Sequence, residues 1–128
     1  MEQSGEVTLR DLVHYLLVPA RCGIYLSRDD LARIGRRLGA PPAPVSRGLM
    51  LEHLFRAAGR DGRVVELIDA LTERVSAWQA RYDDWRARYP SWTESWQRWR
   101  RGSDHLRRRL DEMRDEAVAL AQAHPPVG

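Results

Sequence analysis

Three features of the sequence predict an all-α chain. Apolar residues fall at helical spacing through most of its length, capping residues precede the periodic runs, and no alternating strand pattern interrupts them. The strongest signal lies between Val64 and Leu120, where an apolar residue returns every seven positions. Trp78, Trp85, Trp92 and Trp99 lie seven apart, with Val75, Tyr82, Tyr89 and Trp96 three residues ahead of them. Steps of three and four place such residues on one stripe of a helix, and the stripe needs a partner surface. The predicted architecture is a small N-terminal three-helix cluster over residues 1–60, followed by a long antiparallel helical hairpin over residues 61–123 that carries the aromatic heptad stripe. The two pack as one structural domain, and residues 124–128 form a frayed tail.

Thr8 is placed to cap the first helix, with Asp11 favouring its N-terminus. Leu9, Leu12, Val13, Leu16 and Leu17 give that helix one apolar face, and Pro19 ends it near Val18. A connector over 19–26 leads to Ser27, which caps a second helix with Asp29 and Asp30 in its first turn. Leu31, Ile34 and Leu38 face inward there, and Gly39 supplies the stop. Pro41, Pro42 and Pro44 stiffen the next connector. Ser46 caps a third helix with Leu51, Leu54, Phe55 and Ala58 on its buried face, and Gly59 ends it.

After a corner at Arg60 and Asp61, the fourth helix runs from about Gly62 to Arg88 on the stripe Val64, Ile68, Leu71, Val75, Trp78, Tyr82, Trp85 and Tyr89. Pro90 followed by Ser91 and Glu94, spaced as a capping box, predicts a break and a restart. The fifth helix then carries Trp92, Trp96, Trp99, Leu106, Leu110, Met113, Ala117 and Leu120, with a kink expected near Gly102. Each buried aromatic removes about 150–250 Å² from water. Two helices cannot enclose all five tryptophans, so either the N-terminal cluster or another chain is expected to cover them.

Composition narrows the function classes. Apolar residues at 43% suffice for a core, and charged residues at 30% suit a water-exposed surface. No apolar run approaches the roughly 18–20 residues that span a bilayer. Residues 1–6 lack the basic-then-apolar order of a signal peptide, so no membrane association and a cytoplasmic location are expected. The basic side chains are all arginine, and a net charge of +3 does not by itself imply a nucleic-acid partner. A single cysteine, Cys22, excludes an intrachain disulfide and a thiolate metal cluster. A Cys22–His14 nucleophile pair would lack an oxyanion hole and an orienting group, so Cys22 reads as a small buried hydrophobe. His14, His53, His105 and His124 show no metal spacing. Neither catalysis nor a cofactor is expected.

Two patterns offer a nucleic-acid alternative. Residues 27–59 resemble a helix-turn-helix, but their connector holds three prolines where a turn of about three or four residues is required. Arg98, Arg100, Arg101, Arg107, Arg108 and Arg109 lie close in sequence to Trp92, Trp96 and Trp99, the composition of a single-strand groove. Helical spacing instead spreads those arginines over the solvated faces. Four carboxylate pairings at i±4 are expected to accompany them: Glu94 with Arg98, Asp104 with Arg108, Arg107 with Asp111, and Arg108 with Glu112.

The run GLMLEHLFRAAGRDGRVVELIDAL, residues 48–71, resembles the later helices of small bacterial effector-associated, death-like adaptor domains, in which a Gly-Arg corner precedes an apolar helix. That resemblance implies a recruitment module without catalysis and supplies no site residues. The expected function is therefore protein–protein interaction by helix–helix docking, with self-association into a wider bundle. The expected interaction residues are Trp78, Tyr82, Trp85, Tyr89, Trp92, Trp96 and Trp99.

Overall fold

A computed structural model describes residues 4–40 and 45–123, with side chains from Leu9 onward. The three connector prolines and the tail 124–128, and with them the stiff connector and frayed end expected there, lie outside the described residues. Among the described residues the elements are all helical: α1 (Ser4–Leu16), α2 (Pro19–Cys22), α3 (Arg28–Arg37), α4 (Arg47–Asp61), α5 (Val64–Arg88), a 3-10 turn (Pro90–Trp92) and α6 (Thr93–Ala123).

Local chemistry explains most of the boundaries. Ser27 and Asp30 close a reciprocal capping box at α3, with the Asp30 amide 3.0 Å from Ser27 Oγ and the Ser27 amide 3.1 Å from Asp30 Oδ2. Ser46 Oγ accepts from the Leu49 amide at the start of α4. Three boundaries differ from the sequence expectation. The α1 backbone is already helical from Ser4, so Thr8 lies inside the helix. Gly59 does not end α4; the helix runs through it to Asp61, and Gly62 at φ +69° provides the left-handed stop. The connector after α1 contains the single turn α2, started by Pro19 and closed by Gly23 at φ +79°.

At the hairpin tip no Ser91–Glu94 capping box forms. Pro90–Trp92 instead make a 3-10 turn closed by the Trp92 amide on the Tyr89 carbonyl at 3.0 Å, and the Thr93 hydroxyl donates to the Pro90 carbonyl. The proline still reverses the chain, because it cannot continue the ladder of α5. Beyond it α6 is one helix of 31 residues without interruption at Gly102.

Helices α5 and α6 pair along their length, and α1, α3 and α4 pack across the lower part of that pair. One buried cluster joins them: Leu12 and Leu16 from α1, Leu31 and Ile34 from α3, Leu51 and Leu54 from α4, Leu67, Ile68, Leu71 and Val75 from α5, and Leu106 and Leu110 from α6. Cys22 from α2, and Ile24 and Leu26 from the segment after it, complete the cluster. The predicted stripe therefore holds at the base of the hairpin. A contiguous core of this kind is what aligns the two long helices and projects their far ends.

The glycine at 102 has a packing role within this single helix. Helix α6 passes so close to the α2 segment that a Cβ on Gly23 would overlap the Ser103 amide nitrogen and the Trp99 carbonyl oxygen. A Cβ on Gly102 would stand 3.1 Å from the Arg21 carbonyl oxygen. The two glycines let two backbones touch; Gly102 is a packing site rather than a break.

Candidate functional site

The aromatic residues of α5 and α6 form one connected seam. From the base outward, Trp78 meets Tyr82 with ring centroids 5.8 Å apart, and Tyr82 meets Trp85 at 5.9 Å and Trp99 at 6.1 Å. Across the hairpin Trp85 meets Trp96 at 5.1 Å, Trp96 meets Trp92 at 5.9 Å, and Trp92 stacks on Tyr89 at 5.6 Å. All seven residues expected to act together are brought together. Separations of 4.5–7 Å with tilted or stacked planes are the favourable geometry for such rings.

Their burial is uneven along the seam, with Trp78 and Trp85 half-buried. Tyr82 is 3% exposed and Trp96 8%, whereas Trp99 is 38%, Tyr89 48% and Trp92 59% exposed. The segment after α2 covers the lower end. Trp78 Nε1 donates to the Tyr25 carbonyl at 3.2 Å, and the Tyr82 hydroxyl donates to the Gly23 carbonyl. Arg81 adds a guanidinium 4.7 Å from the Trp78 ring centroid. Farther out, Trp96 Nε1 donates to the Tyr89 carbonyl at 3.3 Å, which satisfies the indole inside the hairpin. The chain's own N-terminal half thus covers the base of the seam and leaves Tyr89 and Trp92 at its tip open.

A buried polar cluster fixes the register of the two helices. Gln79 Nε2 donates to Ser103 Oγ at 3.1 Å and to Asp104 Oδ1 at 2.8 Å, while Ser103 Oγ donates to the Arg100 carbonyl at 2.7 Å. Gln79 and Ser103 are buried among the described residues otherwise dominated by apolar side chains. Sequence reading misses both. The signal is present for Ser103, since spacing by four and three from Trp99 to Leu106 passes through position 103. A stripe counted in apolar residues alone steps over it.

The arginine group is divided: Arg100 and Arg101 line a hollow with Tyr82 and Trp96, whereas Arg108 and Arg109 line another with His105 and Glu112. Arg100 bonds Asp83 across the hairpin and Asp104 one turn along α6. Arg107 Nη1 lies 3.5 Å from Gln79 Oε1, and the Arg109 guanidinium lies 5.4 Å from the Tyr15 ring centroid on the opposite flank. Arg98, Arg101 and Arg108 are exposed. Of the four expected i±4 pairings none forms within 4 Å among the described residues; Asp104 turns back to Arg100 instead of forward to Arg108.

Cys22 is fully buried with its thiol directed at the Ile24 carbonyl, 3.2 Å away, and burial raises its pKa. His14 is exposed, so the two do not form a solvent-accessible pair. Helices α3 and α4, the proposed helix-turn-helix, are separated by residues 38–46, a connector too long for that motif. No family model matches the sequence, and no curated protein or solved structure is significantly similar to it.

Proposed function

We propose that this chain is a non-enzymatic interaction module that docks through the tip of its α5–α6 hairpin, and that its first partner is a second copy of itself. The observation that carries this reading is the exposure of Tyr89 and Trp92 at the tip of a seam in which Tyr82 and Trp96 are buried. Large aromatic side chains supply much of the energy of protein interfaces, and rigid stacked rings lose little entropy on docking. Tyr89 and Trp92 lie in the turn that joins two helices held in register by Gln79 and Ser103, so the surface is pre-organised. The likeness of residues 48–71 to effector-associated adaptor domains supports a recruitment role, and the Gly-Arg corner in that stretch lies at Gly62–Arg63 between α4 and α5.

Nucleic-acid binding through residues 92–109 is the competing reading. It is weakened by the spread of the arginines, since Arg108 and Arg109 line a hollow separate from the one that Arg100 and Arg101 share with Tyr82 and Trp96. Sedimentation equilibrium of the parent and of Tyr89→Ser/Trp92→Ser over a range of concentrations tests the proposal. The parent should associate and the double variant should remain a monomer with the same helical content. A parent monomeric at every concentration, or a variant that associates equally, removes the proposal's support. Oligonucleotide binding that falls steeply with salt and depends on Arg98, Arg101 and Arg108 would favour the competitor.

A further inference from the structure

One flank of the hairpin, just below its tip, holds an open hollow of about 460 Å³. Tyr82 and Trp96 line it, and so do Arg86, Arg100 and Arg101. Asp83 and Asp104 line it too, but Arg100 engages both of them. Arg86 and Arg101 make no ion pair within 4 Å among the described residues. The hollow therefore combines two buried rings with two guanidinium groups that have no carboxylate of their own. Such a site suits a further aromatic ring, because a guanidinium is drawn to the negative face of the ring quadrupole. The chain makes that contact elsewhere: Arg81 lies 4.7 Å from the Trp78 centroid, and Arg47 lies 4.4 Å from that of Tyr25. Trp92, the most exposed of the tryptophans, has no guanidinium over its ring among the described residues.

Position links the exposed ring to the hollow. Trp92 ends the turn directly before α6, and Trp92, Trp96, Arg100 and Asp104 follow at intervals of four, one ridge along a helix. The 5.9 Å contact between the Trp92 and Trp96 rings carries that ridge into the turn. We propose that the Trp92 ring of each copy enters the hollow of a second copy, an assignment that rests on docking of two copies through the tip. Residues 92 and 100 lie four residues, about 6 Å, to either side of Trp96. A two-fold axis beside Trp96 thus sets each Trp92 over Arg100 of the other copy, within reach of its Arg86 and Arg101. The contact then closes on itself as an isologous dimer. Tyr82 and Trp96 are already buried, so docking covers the entering ring far more than the rings that receive it. An aromatic anchor seated in a pocket is the arrangement that dominates the energy of many interfaces.

Sedimentation of paired variants separates this assignment from tip docking itself. Arg86→Gln/Arg101→Gln changes two exposed side chains, so it should keep the parent's helical content while self-association weakens roughly tenfold or more. Arg36→Gln/Arg108→Gln makes the same charge change outside the hollow and should associate like the parent. The decisive arm mixes a fluorescently labelled Trp92→Ser chain with unlabelled Arg86→Gln/Arg101→Gln. The first lacks the entering ring and the second lacks the receiving guanidinium groups, but together they hold one intact ring and one intact hollow. The labelled chain should therefore sediment as a dimer in the mixture at concentrations where each variant alone is a monomer. Arg86→Gln/Arg101→Gln associating like the parent, an equal loss in Arg36→Gln/Arg108→Gln, or no recovery on mixing would each overturn the assignment. Tip docking survives those results if Tyr89→Ser/Trp92→Ser still abolishes association. Without recovery, inorganic phosphate bound by Trp92→Ser and released by Arg86→Gln/Arg101→Gln would give the hollow to an anion instead. A parent monomeric at every concentration removes tip docking and this assignment together.

Discussion

Gly23 and Gly102 show how single residues set the distance between elements. Gly23 combines φ +79° with backbone atoms of α6 where a side chain would stand, so two independent penalties oppose any substitution. Gly23→Ala should cost about 2–4 kcal/mol, the range of strain and overpacking effects. Gly59 gives the opposite expectation: it lies within α4 with nothing near its missing Cβ, so Gly59→Ala should stabilise by about 1 kcal/mol. Denaturant unfolding of the two variants checks both signs. Glycines read alike in a sequence. Gly39 at φ +70° serves a turn as its position suggests, whereas Gly59 differs from expectation because the helix continues past it to Asp61, and neither that nor the approach of α2 to Gly102 is a local property.

Tyr82 adds a pH dependence at the same scale. Burial pushes its phenol from 10 up to about 12, while in the unfolded chain it titrates near 10. Above pH 10 the unfolded state loses this proton first, so the native state is progressively disfavoured until the folded phenol also ionises near 12. Stability present below pH 10 should therefore fall between pH 10 and 12, by about 2 kcal/mol from this group. Burial also raises Tyr15 and Cys22, which contribute in the same direction. Denaturation curves at pH 9 and 11 should converge partly in Tyr82→Phe. An equal alkaline loss in that variant would show that the phenol is not responsible.

At the scale of elements, the hairpin owes its register to a small polar cluster inside an apolar seam. Ring contacts alone tolerate sliding, because one aromatic residue of the heptad resembles the next. Gln79 paired with Ser103 and Asp104 distinguishes one alignment from its neighbours. Gln79→Leu should cost about 1–2 kcal/mol and, more tellingly, broaden the amide spectrum of α5 and α6 as alternative alignments become populated. A variant with sharp, parent-like spectra would assign the register to packing alone. The lengths and pairing of the two helices were legible from the spacing of Trp78, Trp85, Trp92 and Trp99. The cap at their junction was not, because Pro90 favours a 3-10 turn that leaves Ser91 outside the helix start. A capping box read from residue types assumes the dihedral angles that make it work.

At the scale of the whole molecule, the segment from Gly23 to Leu26 decides what the aromatic seam can do. It covers Trp78 and Tyr82 through their polar tips and stops there, so Tyr82 is core while Tyr89 and Trp92 are surface. Sequence spacing identified all seven rings as one group, yet it could not divide them, since an indole in a heptad has the same pattern whether or not another element lies over it. The division follows from tertiary placement of a segment more than fifty residues away in sequence. It also turns a question about the stripe into a question about Trp92.

Fluorine NMR of the chain labelled with 5-fluorotryptophan, each signal assigned by single substitution, reads that question residue by residue. The solvent isotope shift of each of the five indoles, taken in dilute and concentrated samples, measures its contact with water. Docking of two copies through the hairpin tip predicts that Trp92 loses its isotope shift on concentration while Trp78 and Trp96 stay as they were. A Trp92 signal that remains fully hydrated in an associated sample would contradict it.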